Sequence, residues 1–236
     1  MRDPFLQVGH LTAIVWTVYT ETAILARAMA PSLIQAIAFF IIFIYSVVLH
    51  ELAHGLMARS LGDPTAEQMG RLTLNPLKHL DLFGSVILPI MLGLMGSPFL
   101  FGYAKPVPYN PHRLSDQKYG PAKVALAGPA TNLLLAILAG IIIRLAGSAL
   151  SQPAFELIGY IVWINIVLAF FNLMPIPPLD GHWLLMTFLP ARLHELRAFL
   201  FRYQWLLVVA LIFFVFPLLT PVMAGLFKIL TGARLF

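Results

Sequence analysis

Three residues in one short run have the types and spacing to do chemistry together. They are His50, Glu51 and His54, in the string His50-Glu51-Leu52-Ala53-His54. On a helix, positions i and i+4 lie on one face, one turn apart. Two imidazoles at that spacing can hold one Zn2+. Glu51, beside the first histidine, can act as general base toward a water that the metal activates. The run ends the apolar stretch 39–49, where ionisable groups are costly and usually functional. The bland alternative is a helix end emerging into lipid headgroups with ordinary interfacial polar residues.

A catalytic zinc usually takes three protein ligands and keeps one position open. The best third ligand is Asp180, in Asn172-Leu-Met-Pro-Ile-Pro-Pro-Leu-Asp180-Gly181. Pro175, Pro177 and Pro178 exclude helix and call for an extended backbone. Gly181 permits a sharp turn beside the ligand. The competing reading makes Asp180 only the cap of the helix that starts there. A different zincin, of the prenyl-protein peptidase type, would take a glutamate as third ligand, with Glu156 and Glu195 as its choices. A metal-binding membrane protein without proteolysis is the non-enzyme alternative. It needs no Glu51, and a transporter would spread ionisable groups over several spans.

These side chains must be positioned by membrane helices. The chain has 236 residues, 60% apolar and 11% charged, against about 25% charged in a soluble domain. So few charges cannot cover a water-facing surface. Strong spans are expected at 33–59, 123–146 and 156–174. A first apolar segment at 11–30 carries Glu21 and Arg27, and 203–230 is broken near Pro217. Residues 83–103 are interrupted by Pro89, Gly93, Gly96 and Pro98. Basic residues collect in 59–82, 104–123 and 175–202 and are absent from 147–155, which places the first three loops in the cytoplasm. The helices on either side of 83–103 then meet it on one face, so that segment should dip in and return as a re-entrant element, a β-hairpin being one form of it.

Other polar residues are weaker candidates. His79 follows Asn75-Pro76 near the same mouth and is either a contact for substrate or water, or a loop hydrogen bond. Lys105-Pro106-Val107-Pro108 reads as an extended edge for an unwound substrate strand, or as a plain loop. Asn165 is expected to bond a neighbouring helix. The net charge of +5 sits in short loops without an aromatic-basic pattern, which excludes nucleic acid as a partner, and the chain has no cysteine, which excludes disulfides and thiolate ligands.

The HExxH string in an apolar helix, followed after a later span by Asn172-x-x-Pro and Leu179-Asp180-Gly181, resembles the site-2 protease family of intramembrane zinc metalloproteases. The resemblance covers about 33–190. It implies zinc ligation by His50, His54 and Asp180, catalysis by Glu51, and a part for Asn172 in handling substrate or the oxyanion. Ala127-Gly128-Pro129-Ala130-Thr131-Asn132 is similar to the start of the family's middle core helix. Gly70-Arg71-Leu72-Thr73-Leu74-Asn75-Pro76 and Ala104-Lys105-Pro106-Val107-Pro108 resemble a compact prokaryotic branch, without a PDZ or nucleotide-sensing domain. Asp180-Gly181-His182-Trp183 departs from the Asp-Gly-Gly-Arg of many relatives.

The expectation is thus an all-α polytopic membrane protein of about five or six segments, one domain over 1–236, with one Zn2+ per chain. Its substrate is a membrane protein or peptide, its other partner the lipid bilayer, and a homo-oligomer is left open. The expected location is a prokaryotic inner membrane, with the site opening toward the cytoplasm.

Overall fold

The computed structural model describes residues 33–79 and 105–233, with Ile87 and Met91 between them. The expected first segment at 11–30, and 83–103 apart from those two residues, lie outside the described residues. The chain divides into two compact units, 1–38 and 39–236. Residues 33–38 of the first open a helix; everything below concerns the second.

Eight α-helices are described: α1 (Leu33–Ser60), α2 (Thr65–Gln68), α3 (Gly120–Ala146), α4 (Gln152–Asn172), α5 (Gly181–Phe188), α6 (His194–Arg202), α7 (Gln204–Ala210) and α8 (Phe216–Thr231). Among the described residues there is no strand. Four stretches of the described residues are long and apolar enough to cross a bilayer: Ile37–Ser60, Gly120–Ala149, Gln152–Asn172 and Gln204–Thr231. The protein is an all-α polytopic membrane protein. Residues 204–231 form one continuous span, in which a π-helical turn at Leu211–Val215 joins α7 to α8 just before Pro217. A π turn absorbs the register change that a proline imposes on the helix ahead of it.

The core lies where α3, α4 and α8 meet, on Ala136, Ala139, Ile143, Val162, Ile166, Met223 and Phe227. Three small or branched residues on α3 let its backbone come close to α8, as membrane helices require. A β-carbon at Gly140 would stand 2.9 Å from Leu230 Cβ.

The end of α1 is fixed by its own sequence. Gly62 adopts φ +97, and the N–H groups of Leu61, Gly62 and Asp63 return to the carbonyls of Met57, Arg59 and Ala58. That closure satisfies the last helical acceptors. The loop beyond α1 is tied to the segment before α3. Ser115 N–H donates to Leu61 O at 2.7 Å and Lys105 N–H to His79 O at 2.9 Å. Both described ends of 80–104 therefore sit together at the end of the bundle where α1 finishes and α3 begins.

Candidate metal centre

His50 and His54 lie one turn apart on α1, both buried, with Glu51 half-buried beside them. α3 crosses behind them and fixes both rings. His54 Nδ1 is 2.7 Å from Val124 O. A carbonyl only accepts, so Nδ1 carries the proton and Nε2 keeps its lone pair. His50 Nδ1 is 2.6 Å from Asn132 Oδ1. The amide of Asn132 is oriented by its other contact, since its Nδ2 donates to Asn165 Oδ1 at 2.7 Å. Asn165 in turn donates to Ser46 Oγ at 3.0 Å and to Ile161 O at 2.8 Å. This buried chain leaves His50 Nε2 unprotonated as well, and Asn165 bonds its neighbouring helices as expected.

Asp180 reaches the histidines from the far side. The expected extended run at 175–178 is instead a succession of tight turns, with a cis peptide between Pro177 and Pro178. Ile176 N–H bonds Met174 O and Leu179 N–H bonds Ile176 O. The prolines do exclude helix, but the chain must double back within eight residues to begin α5 against the end of α4. Gly181 serves that reversal by close approach, and its φ is not positive. A β-carbon there would lie 2.1 Å from Leu173 O. The Asp180 side chain makes no capping bond to α5.

Asp180 Oδ2 lies 3.0 Å from His50 Nε2 and 3.3 Å from His54 Nε2, and the two Nε2 atoms are 3.0 Å apart. Ligand atoms of all three fall within 4.8 Å of one another. Two lone pairs and a carboxylate oxygen facing each other repel unless a cation sits among them. Tetrahedral zinc, at about 2.0–2.1 Å from each ligand, sets such atoms roughly 3.3 Å apart. The donor set fits zinc. Asp180 Oδ2 is buried without a hydrogen-bond donor. Burial raises the Asp180 pKa, but the imidazoles of His50 and His54 beside the carboxylate outweigh burial and hold it down at about 2, so the group is charged and suited to a cation. Gly128 of α3 borders the same place: a β-carbon there would stand 2.5 Å from His54 Nε2 and 2.6 Å from His50 Nε2.

Glu51 Oε2 accepts the Val107 N–H at 2.7 Å. Between Lys105 and Pro108 only Lys105 and Val107 possess an N–H, and both are spent within the protein, on His79 O and Glu51. An edge here offers a substrate strand carbonyls, not donors. His79 is buried, with Nε2 on Thr73 O at 2.9 Å. Asn172 Nδ2 bonds Leu168 O of its own helix at 3.0 Å. Among the described residues neither is hydrogen-bonded to His50, His54 or Asp180. Glu156 bonds Gln152 at the opposite end of α4, and Glu195 opens α6; neither joins the cluster. Tyr109 packs 6.2 Å from Trp183, and burial together with the Asp180 charge raises its pKa. His182 is held by Leu179 O at 2.6 Å, and burial lowers its pKa.

Asn132, Val107 and Arg71 carry site geometry that spacing did not reveal. Asn132 and Arg71 were visible only within the strings Ala127–Asn132 and Gly70–Pro76, and Val107 acts through its backbone N–H.

Comparison with known proteins shows the family. The sequence model of peptidase family M50 matches residues 38–151 and 138–216. The chain is 34% identical over 189 residues to a Bacillus subtilis (strain 168) protein named "Putative zinc metalloprotease YwhC", covering 75% of this chain and 80% of that one. It is 31% identical over 170 residues to "Putative zinc metalloprotease Rip2" of Mycolicibacterium smegmatis, covering 72% and 64%. No solved structure matches. The chain belongs to peptidase family M50, the site-2 protease family of intramembrane zinc metalloproteases.

Proposed function

We propose that this intramembrane zinc metalloprotease cuts membrane-spanning proteins with Glu51 as general base and His50, His54 and Asp180 as zinc ligands. The observation that carries the reading is the convergence of His50 Nε2, His54 Nε2 and Asp180 Oδ2 from two segments more than a hundred residues apart in sequence. When bound, zinc supplies a Lewis acid that makes water nucleophilic near neutral pH.

The chain's own groups do the rest. Val124 and Asn132 hold the imidazoles with Nε2 lone pairs inward. Glu51 has one oxygen on Val107 N–H and the other free to take a proton from water. As the water oxygen bonds to the peptide carbon and the C–N bond breaks, Glu51 returns that proton to the leaving amine. A substrate helix must unwind first, because its peptide groups are shielded by their own hydrogen bonds. Asn172 and His79 are in this reading the groups assigned to the opened strand or the oxyanion. In this reading 1–236 works as one membrane-embedded domain with its core in 33–190. The site opens to the cytoplasm of a prokaryotic inner membrane, and the chain works alone or as a homo-oligomer.

The test is quantitative proteomics of membrane fragments from cells carrying wild type or Glu51→Gln. Fragments ending within or beside a span should disappear in the variant. An unchanged fragment set would contradict the reading.

A further inference from the structure

We propose that Arg71 is a positioning residue for the general base, acting through a single peptide group. This rests on the reading of Glu51 as that base. Arg71 is buried and makes no ion pair among the described residues. Its Nη2 donates to Lys105 O at 2.8 Å and to Pro106 O at 3.3 Å, while Nε has no partner. A buried guanidinium whose partners among the described residues are all carbonyls is costly to keep. What it holds explains the cost.

Pro106 C=O and Val107 N–H belong to one planar peptide unit, and in the trans form they point in opposite directions. Arg71 grips the oxygen end of that unit. Glu51 Oε2 accepts from the nitrogen end at 2.7 Å. A cation on the carbonyl polarises the N–H and strengthens its bond to the carboxylate. Held there, Glu51 keeps one oxygen fixed and the other directed at the reacting water.

The clasp has its own supports. Arg71 N–H bonds Ala66 O, Thr73 N–H bonds Arg71 O, and Lys105 N–H bonds His79 O. Val107 is pinned from behind: a β-carbon on Gly55 of α1 would lie 2.9 Å from Val107 Cγ1. The strap 105–107 is thus fixed against α1 at the height of Glu51. Since one nitrogen of Arg71 makes both bonds, a lysine ammonium can replace much of its effect.

The experiment measures kcat, KM and zinc per chain in detergent for wild type, Arg71→Ala, Arg71→Lys, Val107→Pro and Glu51→Gln. Arg71→Ala should lower kcat about 10–100-fold, the range typical of lost outer contacts to a catalytic site. KM should stay within about twofold, and zinc should stay at the wild-type level. Arg71→Lys should recover most of the kcat. Val107→Pro, which removes the donor itself, should match Arg71→Ala. A wild-type kcat in Arg71→Ala, a rise confined to KM, or zinc lost in step with kcat would each overturn the proposal while Glu51→Gln is inactive. Cleavage by Glu51→Gln at the wild-type rate would instead overturn the underlying reading of the base.

Discussion

Gly128 and His54 are in such close register that a single added carbon would collide with the metal site. A β-carbon at Gly128 would stand 2.5 Å from His54 Nε2. Gly128 lies inside α3, where alanine ordinarily stabilises a helix by roughly 0.5–1 kcal/mol over glycine. Gly128→Ala should do the opposite here. It should lower zinc affinity at least about tenfold, read by competition with a fluorescent chelator. Affinity equal to wild type would mean that the histidines hold metal away from α3.

Asn132 should matter through His50. Its Oδ1 is 2.6 Å from His50 Nδ1, and it is wholly buried. Asn132→Ala removes the group that sets the His50 tautomer and leaves Asn165 Oδ1 without its donor. Zinc affinity should fall about 10–100-fold, and activity measured at saturating zinc should return in part. A loss of activity with unchanged zinc affinity would show that Asn132 serves substrate instead.

Asp63 gives the loop after α1 an acid limit. Burial raises its pKa, but hydrogen bonds from the Thr65 hydroxyl, Asn110 N–H and Thr65 N–H outweigh burial and lower it. A folded pKa below the unfolded value near 3.9 means stability that is present above that value and lost as pH falls through the folded one. Limited proteolysis between 61 and 116 should therefore accelerate as pH drops from about 5 to about 3. Asp63→Asn should be cut faster already at pH 7, with a flatter pH profile. Identical profiles would remove Asp63 as the tie between these segments.

Much of the centre was legible in sequence because its residues announce themselves by type. HExxH spacing puts two imidazoles on one helix face, and Asp180 is a carboxylate between prolines and a glycine after a span. The turn that carries Asp180 is not legible in sequence, because prolines say only what the backbone is not. The close packing of Gly181 on Leu173 O depends on where α5 must start. Gly128 stands out in sequence only as part of the Ala127–Asn132 string; that it borders the ligands requires knowing which face of α3 meets α1. The Val107 donor to Glu51 had no signature at all, since every residue but proline has an N–H.

The most direct measurement of the central claim is zinc per chain, together with cleavage, for wild type, Glu51→Gln, His54→Ala, Asp180→Ala and Glu195→Gln purified in detergent. Wild type, Glu51→Gln and Glu195→Gln should each hold about one zinc. His54→Ala and Asp180→Ala should hold far less. Only wild type and Glu195→Gln should cleave. Full zinc in His54→Ala, or cleavage by Asp180→Ala with loss in Glu195→Gln, would contradict a centre built from His50, His54 and Asp180.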